Sequence, residues 1–237
     1  MDIKIIYEDK DVLVIDKPAG IVVFPEGQTK ENTLIDKIIE EKPELKQAGE
    51  PPRYGIVHRL DKDTSGILLI AKNTKSLIFL QKQFINRKVE KKYTVLVEGN
   101  IKENFGEIKT LIARSKGDKR KQKAYFKNGK EPKSARDAIT EFEVLKRFEN
   151  YTLLLANIKT GRRHQIRCHF SYLRHPIAGD KLYGFKDSKI PEGLTKQFLH
   201  ASYLKIQLPS GQYEEFKSEL PDELQKILTS LPAVRKL

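Results

Sequence analysis

Seven short runs of β-branched and other apolar residues, each closed off by turn-forming residues, constrain this chain more than any other feature. They are Ile3 to Tyr7, Val12 to Ile15, Ile67 to Ala71, Tyr93 to Val97, Ile139 to Leu145, Thr152 to Ile158 and Leu204 to Leu208. Runs of this length and composition read as strands, so a sheet must dominate the fold. Helices are fewer, and each has a start signal. Asn32 or Thr33 precedes Leu34 to Glu41, which stops at Pro43; Asn73 or Thr74 precedes Lys75 to Arg87; Pro221 precedes Asp222 to Leu231. A fourth helix is expected after Thr160, with Ile166, Phe170 and Leu173 toward the core and Arg163, His164 and Arg167 making a cationic outer face. The chain shows no repeat and no linker, so one α+β domain spanning 1–237 is expected. Its centre is a mainly antiparallel mixed β-sheet flanked by a few helices.

At 237 residues there is enough chain for a sizeable core. No apolar run approaches the roughly 18 residues of a membrane span, which excludes a transmembrane protein. Lys and Arg number 45 against 32 Asp and Glu, a net +13 expected of a protein whose partner is a polyanion, nucleic acid first and an anionic membrane surface second. A single cysteine, Cys168, and an opening MDIKIIYEDK without an apolar stretch point to a reducing, cytoplasmic address. One thiol also excludes Cys-rich zinc sites, and neither GxxxxGK[ST] nor GxGxxG occurs to cradle a nucleotide phosphate. Neither metal nor cofactor is expected. Nothing in the pattern demands more than a monomer.

The positive charge is concentrated. Between Arg114 and Arg136 ten basic residues face only Asp118 and Glu131, so this stretch carries +8. Charge runs are often only solvated loops. Here Tyr125 and Phe126 interleave with the cations, the composition of an arm that grips RNA backbone and stacks bases, with Lys119, Arg120, Lys121 and Lys123 as candidate contacts.

Three further segments could carry chemistry. In residues 54–72 a turn holding His58, Arg59, Asp61, Asp63, Thr64, Ser65 and Gly66 opens directly into an apolar strand, which would hold polar groups rigidly. His58, Asp61 and Asp63 lack the spacing of a metal site, and Arg59, Lys62 and Lys72 would repel a cation. A lone carboxylate, Asp61, oriented by an arginine is the better chemical reading, although ion pairs of that kind are commonly structural. In residues 159–184, Arg162, Arg163 and His164 surround a helix start suited to an anion. Arg167 lies deeper, and because a buried arginine needs a carboxylate it is paired with Asp61. In residues 87–99, Tyr93 follows Lys92 at the start of a strand. Tyr93 is either an ordinary strand aromatic or a ring that stacks on an extruded base.

Taken together these residues resemble the RluA-type RNA pseudouridine synthases. The resemblance is carried by Lys17-Pro18-Ala19-Gly20, then His58-Arg59-Leu60-Asp61 with Thr64-Ser65-Gly66, then Lys92-Tyr93, Thr160-Gly161-Arg162 and His164-Gln165-Ile166-Arg167, then His175-Pro176-Ile177, Gly179-Asp180 and Tyr183-Gly184, and finally Leu199-His200-Ala201. It covers nearly the whole chain. Arg163, Cys168 and Arg174 depart from the family's usual residues. The resemblance implies the pseudouridine synthase fold, without the N-terminal S4-like domain of many relatives. It implies Asp61 as the catalytic aspartate, Tyr93 as the active-site tyrosine, Arg167 as the arginine beside Asp61, and Arg59 as a residue that helps fill the place of a flipped-out nucleotide. The implied reaction isomerises uridine in ribosomal or transfer RNA without a cofactor. Two rivals are a non-catalytic RNA-binding or ribosome-assembly protein and a hydrolytic glycosidase. The second would need another acid across the bond, and no acidic pair stands out.

Overall fold

A computed structural model describes residues 3–25 and 32–234. Its elements are β1 (Lys4–Glu8), β2 (Val12–Lys17), α1 (Leu34–Glu41), a 3-10 turn (Pro43–Gln47), β3 (Ser65–Ala71), α2 (Thr74–Ile85), β4 (Glu90–Glu98), β5 (Phe105–Arg114), β6 (Gln122–Tyr125), β7 (Arg136–Arg147), β8 (Tyr151–Ile158), α3 (Gln165–Tyr172), β9 (Leu199–Gln207), β10 (Tyr213–Lys217) and α4 (Asp222–Ser230). Two compact units emerge. One gathers the described residues up to Glu90 with Ala201–Glu219, and the other Lys91–His200 with the described residues from Leu220 on.

In the first unit the strands run in the order β1-β2-β3-β9, with β10 beside β9. The β1–β2, β2–β3 and β9–β10 pairs are antiparallel. Every residue of β3 is buried, as is most of β2, because both faces of this part of the sheet are covered. On one face Val12, Val14, Ile67 and Leu69 pack with Leu77 and Leu80 of α2 and with Leu204 and Ile206 of β9. The helix starts follow local chemistry. The Asp36 carboxylate accepts the Thr33 N–H at 2.9 Å ahead of α1, and Asn73 Oδ1 accepts the Ser76 N–H at 2.9 Å ahead of α2.

In the second unit the order is β4-β8-β7-β5-β6, and the β4–β8, β7–β8, β5–β7 and β5–β6 pairs are all antiparallel. Ile112, Ala124 and Ala138 from this sheet form a core with Cys168 of α3 and Tyr183. The sheet-dominated, mainly antiparallel α+β class expected from the apolar runs is the one observed.

Some local expectations are corrected. Strands β5, β6 and β10 were not foreseen, and β7 is longer than its apolar run at both ends. The helix after Thr160 begins only at Gln165, because residues 160–164 turn back on themselves and His164 takes a left-handed conformation at φ 53°. Arg163 and His164 therefore do not lie on α3. Residues 165–170 are all buried, so the expected cationic outer face is absent, and Leu173 sits exposed at the C-terminal end instead of in the core.

Candidate active site

In the first unit the antiparallel β2–β3 register sets Lys17, the last residue of β2, opposite Gly66 at the start of β3. The Lys17 side chain is buried, and its ammonium donates to the carbonyls of Pro18 (2.8 Å), Lys62 (3.1 Å) and Thr64 (2.8 Å). A buried cation is tolerated when carbonyl dipoles replace its water, and here the bonds to Lys62 and Thr64 pin the turn that follows Asp61. The Gly20 N–H adds a bond to the Lys62 carbonyl at 2.8 Å, and the Thr64 N–H closes onto the Asp61 carbonyl at 3.1 Å. The segment Lys17-Pro18-Ala19-Gly20 is thus the clamp on the Asp61 turn. Its signal in the sequence was a lysine at the end of an apolar strand. Asp61 itself is half-buried.

His58 Nε2 accepts the Leu69 N–H at 3.0 Å, and its ring stacks on Phe84 with centroids 4.9 Å apart, so this histidine ties the loop to β3 and α2. The guanidinium of Arg59 lies 5.3 Å above the Phe24 ring, which also takes Arg53 at 4.8 Å.

In the second unit Tyr93 stands on β4 opposite Ala156 of β8, buried among strand residues, with Lys92 half-buried beside it. Lys91 is buried too, and loss of water lowers its ammonium pKa to about 8. Arg167 is buried on α3. Its Nε and one Nη donate to the two oxygens of Asp180 at 2.7 and 2.9 Å, a bidentate pair, with the Arg167 side chain 10% and the Asp180 side chain 0% exposed. The Asp180 carboxylate also accepts the N–H groups of Leu182 and Tyr183. The Tyr183 ring lies 5.1 Å below the Arg167 guanidinium. The Tyr183 hydroxyl accepts the Gln122 N–H at 2.6 Å and lies 3.1 Å from His164 Nδ1. Burial raises the pKa of that hydroxyl and keeps it neutral.

Behind Arg167 runs a buried polar chain. Gln165 Oε1 accepts from the Thr160 hydroxyl (2.7 Å) and the Arg162 N–H (3.0 Å), while Gln165 Nε2 donates to the Ile139 carbonyl and Thr140 Oγ1. His169 continues it, with Nδ1 2.8 Å from Thr140 Oγ1 and Nε2 3.0 Å from Thr110 Oγ1, and burial pushes its pKa down to about 4. The start of α3 is thereby locked to β5 and β7.

The candidate residues fall into both units: His58, Arg59 and Asp61 in the first, and Tyr93, Lys92, Arg162, Arg163, His164, Arg167 and the basic arm in the second. The arm is not a loose loop. Gln122–Tyr125 pairs with β5, and its first N–H is held by Tyr183. Within it Arg120 clasps Asp118, while Lys121 and Lys123 lie 5.9 and 5.4 Å from the Tyr183 and Tyr125 rings; Lys119 and Arg163 are exposed. Arg162 Nε donates to the Asp137 carbonyl at 2.9 Å. Asp180 was missed as a carboxylate partner of Arg167, although it is the one acidic residue between Lys159 and Gly184. Among the described residues, no three His, Cys, Asp or Glu side chains gather as a metal-ligating group, and no helix is long and apolar enough to cross a membrane.

Comparison with known proteins adds a family. A model of the RNA pseudouridylate synthase family matches residues 11–172. The chain is 43% identical over 237 residues to an uncharacterized RNA pseudouridine synthase of Aquifex aeolicus, covering 97% of this chain and 73% of that protein. It is 40% identical over 232 residues to the uncharacterized RNA pseudouridine synthase YlyB of Bacillus subtilis, covering 98% and 73%. To a protein of Nitrosomonas europaea named ribosomal large subunit pseudouridine synthase D it is 39% identical over 236 residues, covering 97% and 65%. The solved structures of human RNA pseudouridylate synthase domain containing 1 and 4 match in fold, with TM-scores of 0.73 and 0.74 at 24% identity. They cover 99% and 98% of this chain and 97% and 95% of theirs.

Proposed function

The chain belongs to the RNA pseudouridylate synthase family, whose members are isomerases, and on that premise we propose that it converts specific uridines of ribosomal RNA to pseudouridine with Asp61 as the catalytic carboxylate. The name of the Nitrosomonas relative favours ribosomal over transfer RNA. The observation that carries the assignment of Asp61 is its turn: a half-buried carboxylate on a turn fixed by the buried Lys17 ammonium and the Gly20 amide. A reacting group must be held rigidly to gain from its position.

The reaction breaks the bond from ribose C1′ to N1, turns the uracil over and joins C1′ to C5. The C5 proton leaves and N1 is reprotonated, so nothing is oxidised or hydrolysed. The target nucleotide must first leave its stack. Asp61 acts at the sugar, as nucleophile at C1′ or as base at C2′, and a rate difference between normal and 2′-deuterated uridine separates the two routes. Arg167 orients Asp61, and Tyr93 lies against the uracil ring and receives the C5 proton. Arg59 and His58, Lys92, Arg162, Arg163 and His164, and Lys119, Arg120, Lys121 and Lys123 of the arm contact the RNA. The enzyme acts as a cytoplasmic monomer, and 1–237 works as one catalytic domain.

The test is a site-resolved pseudouridine map of ribosomal and transfer RNA from cells with and without the gene, read by carbodiimide-dependent reverse-transcription stops. Loss of one or a few ribosomal sites is expected. Loss confined to transfer RNA would replace the substrate. No lost site, together with no turnover by the purified protein on unmodified RNA, would leave a passive RNA-binding protein.

A further inference from the structure

We propose that the surface between the β6–β7 connection and the turn before α3 is a groove for RNA backbone, holding the single strand that flanks the target nucleotide. The proposal rests on the RNA pseudouridine synthase reading above and goes beyond it by moving the grip to residues other than the arm cations already named.

A shallow, open depression of about 570 Å³ lies there, walled by Lys127 and Lys133 from the β6–β7 connection, by Arg136 at the start of β7 and by Arg162 from the turn. Its size is in the range that holds a nucleotide-sized group. Two carboxylates, Glu131 and Asp137, share the lining. Glu131 is engaged locally: its own amide and those of Asn128 and Gly129 hold its pKa below the usual carboxylate range, and the Asn128 N–H donates to it at 3.2 Å. Its charge therefore holds the turn that shapes the groove. Arg162 is fixed in direction by the bond from its Nε to the Asp137 carbonyl, so the guanidinium forms a wall instead of swinging in solvent.

Three of the arm cations already named as RNA contacts have part of their charge engaged within the protein. Arg120 is clasped by Asp118, and Lys121 and Lys123 lie over tyrosine rings. Next to Lys127 along the chain, the Phe126 ring is 67% exposed and held edge-on to Tyr172 with centroids 5.6 Å apart. Backbone-tracking cations beside an oriented, exposed aromatic ring are the combination that single-stranded nucleic acid uses, phosphates on the cations and a base on the ring. An enclosed small-molecule site would be deeper and more apolar.

The test measures binding of the full chain to poly(U), a single strand without structure, over a series of salt concentrations. The triple variant Lys127→Ala, Lys133→Ala, Arg136→Ala is expected to lose roughly tenfold or more in affinity at physiological salt. The slope of log affinity against log salt should become shallower by about 2, near 0.7 for each cation removed. Phe126→Ala is expected to lose affinity with its slope unchanged. A charge-matched triple at exposed positions elsewhere, Lys75→Ala, Lys82→Ala, Lys88→Ala, should change the slope by less than about 1. An unchanged slope in the first triple, or equal changes in both, overturns the groove; full affinity in Phe126→Ala overturns the stacking ring. The single variants Lys127→Ala and Lys133→Ala keep the test decisive if the triple does not fold. Pseudouridine formation by the wild-type protein is measured on unmodified ribosomal RNA alongside. None there, with the slope change still present, would fail the enzymatic reading and leave the groove standing.

Discussion

The Arg167 guanidinium meets Asp180 through two parallel hydrogen bonds with both side chains almost wholly out of water, so each charge depends on the other. Removing one partner of such a pair strands the other. Asp180→Asn is therefore expected to lower stability by about 3 to 5 kcal/mol, read from the denaturant midpoint. A loss below about 1 kcal/mol would mean that the pair is not intact. His169 gives a second test. Its pKa is depressed to about 4 from an ordinary 6.5, so the unfolded chain takes up the proton first as pH falls. The contribution is complete above about pH 6.5 and is lost progressively toward about pH 4. Between pH 7 and pH 5 the loss should be about 2 kcal/mol, and His169→Gln should flatten that part of the profile; parallel profiles would contradict the assignment. At this scale the turn that carries Asp61 was legible, because polar residues crowd it just before a strand. The Asp180 pair was not, because the expectation for Arg167 stopped at Asp61 and the carboxylate in its own segment was passed over.

Among the elements, the join of the Asp61 turn to β3 is tightly constrained. Gly66 has φ +110°, and a Cβ placed on it would come within 2.3 Å of the Ala201 carbonyl oxygen, where only backbone stands to give way. Gly66→Ala is expected to cost at least about 2 kcal/mol, visible as a lowered melting temperature. A melting temperature equal to wild type would show that β3 and the facing strand are not packed as described. Strands β2, β3 and β8 were legible because burial on both faces writes a nearly unbroken apolar run, β4 through its Tyr93–Val97 run of β-branched and apolar residues, and β9 through the alternation of buried Leu204 and Ile206 with half-buried Lys205 and Gln207. Their neighbours were not. In β5 Glu107 and Lys109 face water; β6 sits inside the basic stretch; β10 reads Tyr-Glu-Glu-Phe-Lys with a single buried side chain. The helix α3 misled for the opposite reason. Its apolar spacing suggested a stripe, whereas hydrogen bonds and the Asp180 pair let Gln165, Arg167 and His169 be buried as deeply as Ile166 and Phe170.

Over the whole molecule the surplus of +13 attracts RNA without selecting a site. Selection of one uridine is proposed for local surfaces, and the chemistry is proposed for the turn that Lys17 holds. The family was legible from motifs spread along nearly the full chain, whereas the identity of the RNA was not, since RNA is read by shape and by unstacked bases. The role proposed for Asp61 is to drive the isomerisation. It is tested most directly by tritium release from unmodified ribosomal RNA carrying 5-tritiated uridine, because C5 loses its hydrogen only when C5 bonds to the sugar. Wild-type protein is expected to release tritium, while Asp61→Asn binds the RNA equally well and releases none. Release by Asp61→Asn at the wild-type rate would contradict the account.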